Sequence, residues 1–237
     1  MYKKHPSFET PPDICTIWKY MSFAKLAWLI TTESLHFLRL DQHDDEWEGL
    51  VATKPENIEH RKYIRFTKYI NCWHINHTES DAMWKLYGPG GETVAIKTMV
   101  GALRTSLQLQ GIPVYMGKIN YKVRNIPEGN LYWPVVFKRK PFQHEKELRL
   151  CISSAFNENP PDLTQLKKDL TSLGVDNLSD MELLKGIGLK EIKVPIDLNQ
   201  LIRKVVICPN SKPFLTEAVK HIVKSKVSHA MIRKSKI

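Results

Sequence analysis

The sequence predicts an α+β fold in which short strands form central antiparallel or mixed sheets and helices pack against them. Three observations carry this expectation. Short β-branched runs such as ETVAIKT, KELRLCIS and RKVVICP alternate between faces with a period of two. Between and after them lie LTQLKKDLTSLG and PFLTEAVKHIVKS, whose apolar residues recur every three or four positions, as on one face of a helix. The chain has 237 residues, 42% of them hydrophobic, enough for one core with an appendage.

In chain order, residues 1–12, ending in Pro11-Pro12, read as an N-terminal arm, and residues 13–237 as a single α+β domain with a basic C-terminal portion. TIWKYMSFAKLAWLI sets Trp18, Met21, Ala24, Leu26, Ala27 and Leu29 largely on one side of a helix running to Ile30. ESLHFLRL is a strand with Leu35, Phe37 and Leu38 inward, and it ends in the acidic loop DQHDDEWEG. Tyr63 to Trp73 becomes a strand in its latter half. Thr78, with Asp81 three positions on, then caps a short helix carrying Met83, Trp84 and Tyr87, which the GPGG turn at Gly88 stops. ETVAIKT is a strand and Met99 to Leu109 a helix; GIPVYMGKINYKV supplies one or two strands with Tyr115, Ile119 and Tyr121 in alternation. KELRLCIS turns Leu148, Leu150 and Ile152 to one face, FNENPPD breaks the chain, and LTQLKKDLTSLG is amphipathic. EIKVPIDL leads into Asp197, a cap for NQLIRK; RKVVICP is a strand, and the closing helix begins with Pro213 in its first turn.

No run approaches 18 uninterrupted apolar residues, and the basic, polar start lacks the apolar stretch of a signal peptide, so a cytoplasmic protein with no membrane partner is expected. Cys15, Cys72, Cys151 and Cys208 are far apart and fit no C-x-x-C or zinc spacing, which reads as reduced thiols and no metal site. Lys and Arg outnumber Asp and Glu by 35 to 25, giving a net charge of +10. The excess is uneven: 12 basic and 3 acidic residues follow from Lys185 onward, while Asp41 to Glu48 holds five carboxylates in eight positions. That separation favours approach of a polyanion such as nucleic acid to the C-terminal surface, through Lys220, Lys224 and Lys226 and through Arg233, Lys234 and Lys236.

GPGGETVAI lacks the lysine and hydroxyl of a phosphate loop and is a tight turn. In DQHDDEWEG, Asp41, His43, Asp44, Asp45, Glu46 and Glu48 crowd potential ligands beyond a strand, yet their spacing matches no calcium loop; a loop shaping a pocket and a purely structural loop both fit. In HEKELR, Glu145, Glu147 and Arg149 share a parity opposite Leu148 and Leu150. A Glu on such a strand can order a sugar hydroxyl or stabilise positive charge developing at an anomeric carbon; it can equally pair with Arg149 or a lysine from Lys138 to Lys140.

IWKYM, LHFLRLDQHDDEWEG, CWHINHTESDAMWKLYG, FKRKPFQHEKELRL and VPIDLNQLIRKVVICPN, in this order from Ile17 to Ser211, resemble the bacterial family of unknown function DUF2971. Lys19 and Tyr20 match its initial pair, Asp45, Glu48 and Gly49 its loop, Met83, Trp84 and Tyr87 its middle motif, and Glu145, Glu147 and Arg149 its acidic strand; Trp73-His74 stand where Phe-Ser is common. More remotely, a basic residue near the first core strand, an aromatic middle and a Glu on a later strand resemble the layout of ADP-ribosyltransferases. That resemblance implies NAD as cofactor in a cleft between split sheets. Tyr20, Trp84 or Tyr87 would stack on nicotinamide, Lys19 or Arg149 would meet pyrophosphate, and Glu147, with Glu145 and Arg149, would form the catalytic group.

Two rival functions follow from the residues. A metal-dependent nuclease would use Asp44, Asp45 and Glu48 with Glu145 or Glu147, a divalent metal, and Lys138 or Lys146 beside the phosphate. A nucleic-acid-binding or protein-binding accessory factor in bacterial defence would use the charge asymmetry alone.

Overall fold

The structure, a computed structural model, describes residues 2–43, 45, 48–49, 64–88, 90–108, 113–122, 130–153, 168 and 189–237. Among them nine strands form one sheet: β1 (Thr16–Ser22), β2 (Ser34–Arg39), β3 (Lys68–Ile75), β4 (Thr93–Met99), β5 (Tyr115–Lys118), β6 (Glu147–Ser153), β7 (Glu191–Pro195), β8 (Lys204–Ile207) and β9 (Met231–Lys234). The helices are α1 (Phe23–Thr32), α2 (Asp81–Tyr87), α3 (Val100–Ser106), α4 (Trp133–Val136), α5 (Leu198–Leu201) and α6 (Pro213–Lys226). This is the expected α+β architecture. The spatial order is β5-β6-β3-β1-β4-β8-β9, with β2 joining β3 to β7; the pairs are antiparallel except β8 with β9, so the sheet is mixed.

The first expected helix begins later than its periodicity suggests. Thr16–Ser22 is strand, paired along its whole length with β4, and α1 starts only at Phe23, where the Ser22 side chain accepts from the Lys25 backbone N–H. Ile17, Trp18, Tyr20 and Met21 are all buried, because β1 is covered on both faces. A strand covered on both faces has no alternation to distinguish it from a helix in sequence. At α2 the cap is Ser80 rather than Thr78. Asp197 caps α5 as expected, its Oδ1 accepting from the backbone of Asn199 and Gln200 at 2.8 and 3.2 Å. The FNENPPD break, the LTQLKKDLTSLG helix apart from Lys168, Tyr63, and the loop residues Asp44, Glu46 and Trp47 lie outside the described residues.

Register assigns the two sheet faces. Glu147 opposes His74, Arg149 opposes Cys72, and His74 opposes Trp18. Trp18 and Tyr20 in turn oppose Lys97 and Ala95, so these residues share one face. Leu148, Leu150, Trp73, Ile17, Met21, Val94 and Ile96 share the other, where they form the main core with Leu26, Leu29 and Ile30 of α1, Leu103 of α3, Leu201 of α5 and Val219 and Val223 of α6. The N-terminal arm lies along β5: Lys3 N–H donates to Val114 and Lys118 N–H to Glu9, both at 2.9 Å. Gly117 makes this approach possible, since a Cβ there would sit 2.9 Å from Cα of Phe8.

The β1–β3 pairing is brief. It covers Ile17 with Ile75 and Trp18 with His74, while the other end of the same β3 edge pairs with β2 at Ile70 and Tyr69. Between the two, backbone groups of β3 need other partners. Lys19 supplies one, its Nζ donating to the Cys72 carbonyl at 2.9 Å and to Asn71 Oδ1 at 3.2 Å, and Asn71 Nδ2 reaches the His36 carbonyl at 2.5 Å. No helix of the described residues is long and apolar enough to cross a membrane.

Candidate active site

Glu147 and Arg149 lie two apart on β6 and therefore point the same way, toward Glu48 and the segment around α4. Arg149 is 1% exposed. Its Nε donates to Glu147 Oε2 and its Nη1 to Glu48 Oε1, both at 2.7 Å, with a further bond from Nη1 to the Val135 carbonyl at 2.9 Å. Lys138 completes the group: its Nζ donates to Glu147 Oε1 at 2.5 Å and Glu145 Oε2 at 2.6 Å, and lies 3.7 Å from Glu48 Oε2. Three carboxylates thus surround two buried cations.

The charges follow from these contacts. Burial opposes ionisation of Glu147, but Arg149, the hydrogen bond with Glu145 and Lys138 outweigh it and hold the carboxyl well below the ordinary Glu value. Glu145 is pushed up to about 7, first by burial and then by the hydrogen bond and negative charge of Glu147, with Lys138 opposing. Burial also works against the Lys138 and Arg149 charges. For each, the neighbouring glutamates more than offset it and the pKa rises. Near neutral pH, Glu147 is the ionised member of the pair and Glu145 the one that exchanges a proton.

Next to this group lies an aromatic patch. The Tyr20 ring packs against Trp84 at 4.8 Å, His74 at 6.0 Å and Tyr87 at 6.4 Å. Tyr20 and Trp84 are core residues, 5% and 4% exposed, whereas Tyr87 is 45% exposed. The Tyr87 hydroxyl is raised above its ordinary value by burial first and then by Cys72, Glu147 and Glu145. His74 Nδ1 must donate to the Glu145 carbonyl at 2.6 Å, which leaves Nε2 as an acceptor, and that atom is buried with no hydrogen-bond partner among the described residues. Tyr121 extends the set, its hydroxyl accepting from the Glu147 N–H at 2.9 Å.

Of the residues singled out in sequence, Glu145, Glu147, Arg149, Tyr20, Trp84 and Tyr87 come together on one sheet face. Lys19 does not join them. Strand alternation turns it to the opposite face, over the Trp73 ring at 5.4 Å, where burial lowers its ammonium to about 8. The acidic loop supplies counter-ions: Asp41 pairs with Arg39, Asp45 with Arg139 and Glu48 with Arg149. Among the described residues no group of three or more His, Cys, Asp or Glu is disposed to hold a metal ion; where Glu48, Glu145 and Glu147 converge, the Lys138 ammonium sits between them. The free thiols at Cys72 and Cys151 are each pushed up to about 12, chiefly by burial.

Sequence reasoning missed Tyr121, named His43 only among the crowded potential ligands of the acidic loop, and gave Lys138 only alternative roles. Tyr121 followed Ile119 in an expected strand alternation, which carries no hint of its bond to the Glu147 backbone. His43, a half-buried residue whose Nε2 is enclosed, has its imidazole lowered by burial first and then by Arg149.

No family model matches the chain, and no curated protein matches it. Solved structures of DarT from Thermus sp. 2.9 are similar to it. The complex with ADP-ribosylated ssDNA has 9% identity and a TM-score of 0.44 over 97% of this chain and 98% of that one. The complex with NAD+ has 11% and 0.43 over 96% and 98%, and the complex with carba-NAD+ has 10% and 0.40 over 95% and 98%. Likeness at this level assigns no residue a role.

The buried group makes a prediction about Lys138. Lys138→Met leaves three carboxylates sharing one guanidinium and should cost about 3 kcal/mol. The lost ammonium raises the carboxyl pKa values in the fold, and a raised acid loses stability as pH climbs. The deficit against wild type should therefore be greater at pH 8 than at pH 5 in denaturant unfolding. An unchanged midpoint, or a deficit independent of pH, would contradict the network.

Proposed function

We propose that the chain is an ADP-ribosyltransferase-like enzyme that takes NAD as its substrate. The observation that carries this reading is Glu147: an enclosed carboxylate held ionised by Arg149 and Lys138, opposite His74, whose ring packs on Tyr20 and through it leads to the half-exposed ring of Tyr87. Loosening of a glycosidic bond leaves positive charge on the ribosyl carbon, and a fixed negative group next to it stabilises that state. Tyr87 offers the open aromatic surface for nicotinamide, with Tyr20 stacked on it and Trp84 edge-on to Tyr20. His74 Nε2 offers a buried acceptor for a ribose hydroxyl or an amide N–H.

In the free protein both Glu147 oxygens are engaged, one by Lys138 and one by Arg149. The reading therefore requires Lys138 to shift toward Glu145, which it already touches, as the substrate arrives. Arg149 remains on Glu48 and the Val135 carbonyl and keeps the carboxylate in position.

Glu147→Gln preserves volume and removes the charge. Nicotinamide release from NAD should fall about 10²-fold or more while the protein stays folded. Release should be assayed with and without nucleic acid or cell lysate as acceptor. No release by wild type under any acceptor condition would end the transferase reading; equal release by both proteins would remove Glu147 from it.

A second reading, a nucleic-acid-binding factor, is favoured by one row of cations. Lys97 of β4 opposes Lys204 of β8 directly. The Lys204 ammonium is lowered first by burial and then by Arg233, Lys97 and Lys236, with Glu79, the partner of Arg233, opposing in part. Like charges opposite one another cost stability unless an anion joins them. The lysines expected to form the patch are more occupied: Lys220 pairs with Glu217, Lys226 with Glu33, Lys224 caps carbonyls beyond α6 at 2.5 and 2.8 Å, and Lys234 donates to the Ser211 carbonyl. Lys97→Ala with Lys204→Ala should weaken single-stranded DNA or RNA binding and reduce its salt slope by roughly 1.4. An unchanged slope would argue against this surface.

A further inference from the structure

At the far end of the same sheet face, Lys68 of β3 directly opposes Ser153 of β6. Lys68 is 0% exposed, yet none of the ion pairs among the described residues involves it. Its Nζ donates to Ser153 Oγ at 2.9 Å and stands 4.5 Å over the Tyr132 ring. The Tyr132 hydroxyl interacts with those of Tyr115 and Ser153. His5 of the N-terminal arm closes the cluster, 4.6 Å from the Tyr132 ring and 5.3 Å from Tyr115, and Cys151 lies below.

A buried ammonium with no counter-ion is costly, and an apolar residue would fill the same space more cheaply. Burial lowers Lys68 to about 8, so a substantial share is the neutral amine in mildly alkaline solution. His5 is also lowered, by burial and by Lys68, and Cys151 is raised to about 12; neither gives Lys68 a negative partner. Ser153, by contrast, is only partly buried. A hydroxyl on a partly exposed residue, an amine base within hydrogen-bond reach behind it, and a third group holding that base make up the arrangement of an activated nucleophile.

We propose that Ser153 is a covalent nucleophile with Lys68 as its general base and the Tyr132 hydroxyl as donor to the developing oxyanion, acting on acyl electrophiles that carry an apolar group. Phe8, Tyr115 and Tyr132 furnish the apolar wall. In the first step Ser153 Oγ bonds to the carbonyl carbon and its proton passes to the neutral Lys68 amine. The leaving group then departs with that proton as its bond to carbon breaks. Water repeats the sequence on the acyl-enzyme, freeing the acid and restoring the hydroxyl. This chemistry is independent of ribosyl transfer at Glu147.

The test is labelling by an alkyl fluorophosphonate, followed by intact and peptide mass spectrometry. Ser153 Oγ should form a bond to phosphorus with loss of fluoride, adding one label per chain. Ser153→Ala should take up none, and Tyr132→Phe, which keeps the ring over Lys68, should react more slowly. Lys68→Met and Lys68→Arg should each react about 10²-fold more slowly, with near-UV circular dichroism reporting that they are folded. Two Lys68 variants are used because either alone can fail to fold, and Tyr132→Phe leaves Lys68 intact. Labelling no faster than in the denatured chain, labelling at another residue, or Lys68 variants that match wild type would overturn the proposal.

Discussion

The Arg149 guanidinium is the constraint on which the site depends. Fully enclosed, it must have its donors met, and it draws Glu147 from its own strand, Glu48 from the loop after β2 and the Val135 carbonyl from α4 to do so. Segments far apart in sequence are thereby tied to one strand. Lys138 then enters because Glu147 and Glu145 together leave negative charge that one guanidinium does not neutralise. The cost of burying this group is met by hydrogen bonds within it, and its by-product is a pair of glutamates with widely separated pKa values.

The sheet divides the labour between its faces. One face carries the apolar side chains that the helices cover, and with it most of the stability. The other carries Glu147, Arg149, His74, Tyr20, Lys97 and Lys204 across β6, β3, β1, β4 and β8, where alternation brings residues remote in sequence onto one surface. The short β1–β3 contact, with Lys19 and Asn71 bridging the gap on the core side, separates the β6 end of this surface from the β4–β8 end.

Much of this was legible in the sequence because a period of two survives wherever one face is polar. KELRLCIS revealed that Glu147 and Arg149 share a face opposite Leu148 and Leu150, and the Asp197 cap was readable from one side chain at a strand-to-helix step. TIWKYMS was not, since burial of both faces erased the alternation. The resemblance places Lys19 and Tyr20 together at the site, yet neighbours in a strand point to opposite faces, and only the strand assignment separates them. The roles of Lys138, Tyr121 and His43 depend on tertiary approach, for which local pattern holds no signal.

The proposed reaction requires Glu147 to be an ionised carboxylate within reach of a bound NAD, with Glu145 as its proton-exchanging neighbour. Carbon-13 NMR titration of the glutamate side-chain carboxyls, assigned with single Gln variants and repeated with a hydrolysis-resistant NAD analogue, measures both parts at once. One signal should titrate near 7, from Glu145, a second should stay ionised to well below 4.5, from Glu147, and both should move on adding the analogue. Two ordinary titrations near 4.5, with neither signal responding to the analogue, would contradict the proposed reaction.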